Sequence, residues 1–79
     1  MTKSHLEPGL SRRAILERVS DVEHEAHDLL QEAARVTTDP EERTLYQRLA
    51  RREEDTLRDL ERERDHLDAE EFVLKALDV

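Results

Sequence analysis

The chain has 79 residues, 35% of them hydrophobic, 43% charged and 3% aromatic, and 21 acidic against 13 basic side chains leave a formal charge of −8. A chain of this length supports one small domain at most, and a single core of that size is marginal. Many charges with few aromatics is a composition shared with disordered chains, so hydrophobic periodicity has to decide.

Several classes fall away at once. No apolar run approaches the roughly 20 residues of a membrane span and no signal-peptide core opens the chain, so a soluble, cytoplasmic protein without a membrane partner is expected. Zero cysteines exclude a disulfide scaffold, a thiol nucleophile and an iron–sulfur cluster. The negative charge argues against a nucleic-acid partner, because affinity for that backbone comes from Lys and Arg neutralising phosphates. Arginine outnumbers lysine eleven to two. These arginines alternate with Glu and Asp, as in REEDTLRDLERERD, which reads as a solvated, ion-paired helix surface.

In chain order, residues 1–10 are polar and contain Pro8-Gly9, which a helix interior does not tolerate; a flexible tail is expected there. Ser11 is a candidate N-cap for a helix over about 11–36. Along it Ile15, Val19, Val22, Ala26, Leu29, Ala33 and Val36 follow at alternating spacings of four and three, an amphipathic stripe that needs a partner helix to cover it. Thr37-Thr38-Asp39-Pro40-Glu41-Glu42 then joins β-branched residues to an N-cap aspartate, a proline at the first helical position and early glutamates.

A second helix is therefore predicted from Pro40 to about Leu67. Its stripe is Tyr46, Leu49, Glu53, Thr56, Leu60, Glu63 and Leu67, with Leu45, Ala50 and Leu57 beside it. The short turn makes the two helices antiparallel neighbours. Asp68-Ala69-Glu70-Glu71 is read as the start of a short third helix over 69–77, carrying Phe72, Val73, Ala76 and Leu77 inward. The fold class is all-α. One hairpin buries too little alone, so two copies are expected to form a four-helix bundle, as a homodimer or a higher homo-oligomer.

Two glutamates break the pattern. Glu53 lies among Leu49, Leu57 and Leu60 where an apolar residue is expected, and Glu23 occupies the column Leu16, Glu23, Leu30 beside the main stripe. Each is fifteen residues from Thr38. At 1.5 Å per residue both come to about 22 Å from the turn, hence the same level in an antiparallel hairpin. Two carboxylates at one depth need a cation, a proton or an arginine. A divalent metal is one solution, its oxygen ligands suiting iron, manganese, calcium or magnesium. Pairing with Arg52 or Arg64, or extension into solvent, is the other.

The segment from about Val19 to Leu67 resembles the rubrerythrin-like branch of the ferritin-like superfamily. The resemblance is carried by Glu23, Ala26, Leu30 and Ala34, the turn Asp39-Pro40-Glu41, Leu49-Ala50, and Glu53 followed by Thr56. It implies a ferritin-like bundle in which Glu23 and Glu53 fall on metal-ligand positions, with iron oxidation as the associated activity. The sequence departs from the pattern at Thr56, where the family's Glu-x-x-His has its histidine, and at Leu30, where an aromatic is usual. Both departures point to an altered site or a structural remnant. The enzymatic reading, a ferroxidase-type oxidoreductase, stays open for that reason.

Among the histidines, His24 and His27 are three apart, not the four of a metalloprotease helix. Glu23 with His27, or His24 with Asp28, could take a surface metal ion. His27 or His24 could also stand in for the missing ligand. The metal candidates are thus Glu23, Glu53 and His27, while His5 and His66 carry no pattern. Tyr46 is placed to pack inward or to donate to a ligand carboxylate. A phosphate loop and a nucleophile elbow are absent. A non-enzymatic assembly or interaction module is the competing reading, with an acidic nucleic-acid mimic or regulatory coiled coil behind it.

Overall fold

A computed structural model describes residues 11–78 as two helices, α1 (Arg12–Val36) and α2 (Pro40–Leu77), packed side by side as a hairpin. The expected tail over residues 1–10 and His5 lie outside the described residues. Helix α1 starts where Ser11, in extended geometry, accepts a hydrogen bond on its hydroxyl from the Ala14 N–H at 3.1 Å. It runs without Gly or Pro until β-branched Thr37, whose own backbone is extended and whose N–H donates to the Ala33 carbonyl at 3.1 Å.

The loop, residues 37–39, is built by its neighbours. Pro40 disfavours the helical region for the residue before it, and Asp39 accordingly sits at φ −90°, ψ 118°. That extended geometry is what an N-cap requires, and the Asp39 carboxylate accepts from the Glu41 N–H at 2.9 Å. Thr37 Oγ1 accepts from the Asp39 N–H at 3.2 Å and donates to Glu42 at 2.9 Å. Arg43 reaches back from α2 to the end of α1, donating to the carbonyls of Ala34 at 3.1 Å and Thr37 at 2.6 Å. A cation there both satisfies carbonyls left over at a helix C-terminus and meets the negative end of the helix dipole.

Helix α2 is continuous for 38 residues against 25 in α1. This corrects the expected break near Leu67 and the separate helix over 69–77. Asp68-Ala69-Glu70-Glu71 contains no helix breaker, and two of its carboxylates are held from across the hairpin: Arg13 pairs with Asp68 and, at 2.9 Å, with Glu71. Beyond that clamp α2 extends past the start of α1. Phe72 (74% exposed), Val73, Leu74 and Leu77 therefore lie on the surface, not inward.

Only Ala34 (8% exposed) and Ala50 (5%) are buried in the described chain. The seam between the helices consists of Leu16, Ser20, Glu23, His27, Leu30 and Ala34 on α1, and Tyr46, Ala50, Glu53, Leu57 and Leu60 on α2, all buried or half-buried. It is not the apolar stripe: Val22, Leu29 and Val36 are 61%, 71% and 59% exposed. The column beside the stripe faces α2 instead, and most of the stripe is left without cover by the described chain.

The charged surface is as read from the sequence. Arg35–Glu32, Arg58–Asp55 and Arg62–Asp59 are pairs three residues apart on one helix. The hydrogen bonds from Arg35, and then its charge, hold the Glu32 carboxyl below the usual range. The small stabilisation from that pair is present above the ordinary glutamate range and fades as pH falls through the lowered value.

Removing the cap should be measurable: Asp39→Ala is expected to lower stability by about 1 kcal/mol in urea unfolding with an unchanged denaturant slope.

Candidate metal centre

The candidate ligands lie midway along the seam. His27 Nε2 is 2.9 Å from Glu54 Oε1, a bond that crosses from α1 to α2, and His27 Nδ1 is 3.7 Å from Asp28. The His27 side chain is 15% exposed. Glu54 was not among the candidates read from the sequence. The available signal was register, since an antiparallel hairpin with a three-residue loop brings residues near 27 and 54 to one level.

That register also corrects the levels of the two anomalous glutamates. Glu53 adjoins the residue opposite His27, and Glu23 is four residues, about one turn, farther from the loop. They are thus offset by five residues, about 7.5 Å along the bundle axis, instead of level. The same register is seen at the open end, where Arg13 meets Asp68.

Glu53 and Glu54 point to different sides of the seam, as consecutive helical residues must. Glu54 shares its face with Gln47, Ala50 and Arg51, whereas Glu53 shares its face with Leu49 and Leu60. Glu53 Oε2 is buried and has no hydrogen-bond partner among the described residues. Neither Arg52 nor Arg64, the expected arginine partners, forms an ion pair with Glu23 or Glu53. Thr56 donates its hydroxyl to the Arg52 carbonyl at 3.1 Å, an ordinary back-bond within the helix.

Among the described residues, one chain gathers no group of three or more His, Asp or Glu side chains able to hold a metal ion. His24 is exposed, His66 lies 3.5 Å from Glu70 on the outer surface, and Tyr46 is half-buried in the seam. The arrangement in one chain is therefore a histidine–carboxylate link on one side of the seam and a single unsatisfied carboxylate on the other. No family model matches the chain, and no curated protein or solved structure matches it either.

An unsatisfied carboxylate oxygen in apolar surroundings has an energetic signature. Glu53→Leu in metal-free protein should raise stability by about 1–2 kcal/mol in urea unfolding, because it removes an uncompensated polar atom and extends the Leu49–Leu60 face.

Proposed function

We propose that the chain is a ferritin-like metal-binding protein whose site is shared across a homodimer, with Glu23 and Glu53 as its carboxylate ligands. The observation that carries this reading is the buried, unpartnered Oε2 of Glu53. A donor held without a hydrogen bond beside an uncovered apolar stripe suits a cation brought by assembly. A two-fold partner supplies a second Glu23 and Glu53, which raises the donor set from two carboxylates to four. Oxygen donors of this kind fit iron or another divalent metal.

When bound, iron supplies the Fe2+/Fe3+ couple. The protein's own part is electrostatic: paired carboxylates favour the more highly charged ion, and Leu49, Leu57 and Leu60 keep water from replacing them. His27 is not needed as a ligand in this scheme. Its bond to Glu54 ties α1 to α2 and steadies the seam from which Glu23 and Glu53 project.

A second reading is a non-enzymatic assembly module that retains the bundle without the chemistry. It is favoured by Thr56, which replaces a ligating ring with a hydroxyl already bonded to its own helix. Among the described residues no helix is long and apolar enough to cross a membrane, and both readings place the exposed stripe against a second copy.

Three measurements separate the readings. Sedimentation at tens of micromolar should give a dimer or a larger oligomer; a monomer would remove the shared site. Protein purified without chelators should carry metal and lose thermal stability in EDTA, whereas the assembly reading expects neither. Fe2+ oxidation should slow at least about tenfold in Glu53→Ala, and equal rates would end the enzymatic claim.

A further inference from the structure

The face turned away from the apolar stripe holds a feature that the metal reading does not use. Between α1 and α2 at the loop end lies a solvent-open cleft of about 690 Å³, floored by Ala34 and Ala50. Because both floor residues end at Cβ, the space above them is left unfilled. Arg35, Arg43 and Arg51 line it, together with the amides of Gln31 and Gln47. In a chain of charge −8, three guanidinium groups line this end of one face with one lining carboxylate, Glu54, while Glu32 beside the cleft engages Arg35. The Glu54 carboxylate is already engaged by His27 at 2.9 Å.

The three arginines are not equivalent. Arg43 is held in place by the carbonyls of Ala34 and Thr37, through Nε and one of its two terminal nitrogens. Arg35 is anchored by Glu32. Arg51, like Gln31 and Gln47, makes no side-chain hydrogen bond or ion pair to the described residues. Arg43 and Arg51 therefore face the cleft with no carboxylate partner among the described residues, and a bound anion meets that charge. Planar guanidinium forks pair two N–H groups with two oxygens of one anion, the geometry suited to phosphate.

We infer that the cleft between Ala34 and Ala50 binds the phosphate group of a small phosphorylated molecule through Arg51, Arg43 and Arg35, with Gln31 and Gln47 as neutral donors. With more than two arginines at hand the dianion is preferred to a single carboxylate. The cleft is also larger than one phosphate, which leaves room for an organic body over the alanine floor. Lying across the seam from Leu49, Leu60 and the Val22–Leu29–Val36 stripe, it stays open when that stripe is covered by a second copy.

The test is a titration of the full chain with inorganic phosphate and, separately, with a phosphate monoester at constant ionic strength, following the arginine Nε–H signals by NMR. Saturable shifts confined to Arg35, Arg43 and Arg51 are expected, with Arg58 and Arg62 unmoved and the monoester bound more tightly than free phosphate. Arg51→Gln, checked for unchanged helicity, should weaken binding about tenfold, and Gln47→Ala should weaken it less. Glu53→Ala should bind phosphate as the parent does, which separates this site from the metal reading. A uniform, non-saturating response across all the arginines, or parental affinity in Arg51→Gln, would overturn the proposal. So would loss of binding in Glu53→Ala.

Discussion

The burial of Ala34 and Ala50, one small side chain from each helix, is the constraint on which the rest of the hairpin depends. These are the only two buried residues among those described, and no seam side chain is smaller. Their size lets the helices approach at the loop end and leaves the cleft open on one side. It also means that the hairpin has almost no core. Burying two alanine methyls contributes little against the entropy of ordering 68 described residues. Besides the half-buried Leu16, Leu30, Tyr46, Leu57 and Leu60, the two helices are tied by polar contacts: Arg43 on the carbonyls of Ala34 and Thr37, the His27–Glu54 bond and the Arg13 clamp on Asp68 and Glu71.

The two helices and the turn were legible because each had local physical causes: Ser11 and Asp39 as caps, Pro40 at a helix start, and apolar spacings of three and four. The division of labour around each helix was not legible. Ile15 through Val36 forms the most regular apolar series on α1, yet what faces α2 is the neighbouring column with Glu23, His27 and Ala34. A heptad pattern reports the whole arc that is removed from water, and it carries no label saying which helix removes it. When a hairpin is half of a larger bundle, the bulky aliphatics serve the wider contact between copies, and small or polar residues suffice for the contact within one.

Of the candidate site, one anomaly was legible. Glu53 stood out because a charge interrupts leucines, and its unsatisfied oxygen is the physical counterpart of that anomaly. Glu54 and Arg43 gave no such signal, since each sits among other charged residues and acquires its role only through register, opposite His27 and the end of α1. The extra helix expected after Leu67 came from reading Asp68–Glu71 as a cap. Acidic residues start helices and also continue them, and Arg13, 55 residues away in sequence, holds Asp68 within α2.

The three-residue loop has a kinetic consequence. Closing so short a connection costs little chain entropy, and every contact around it, from Thr37–Glu42 to Arg43–Ala34, is local in sequence. Contacts of that kind form fast, so the loop end folds first and the helices zip outward toward Arg13 and Asp68. Closing the loop end leaves Val22, Leu29 and Val36 wet. If a second copy covers them, as proposed, that step is bimolecular and its rate follows the concentration of chains and not the sequence of the loop.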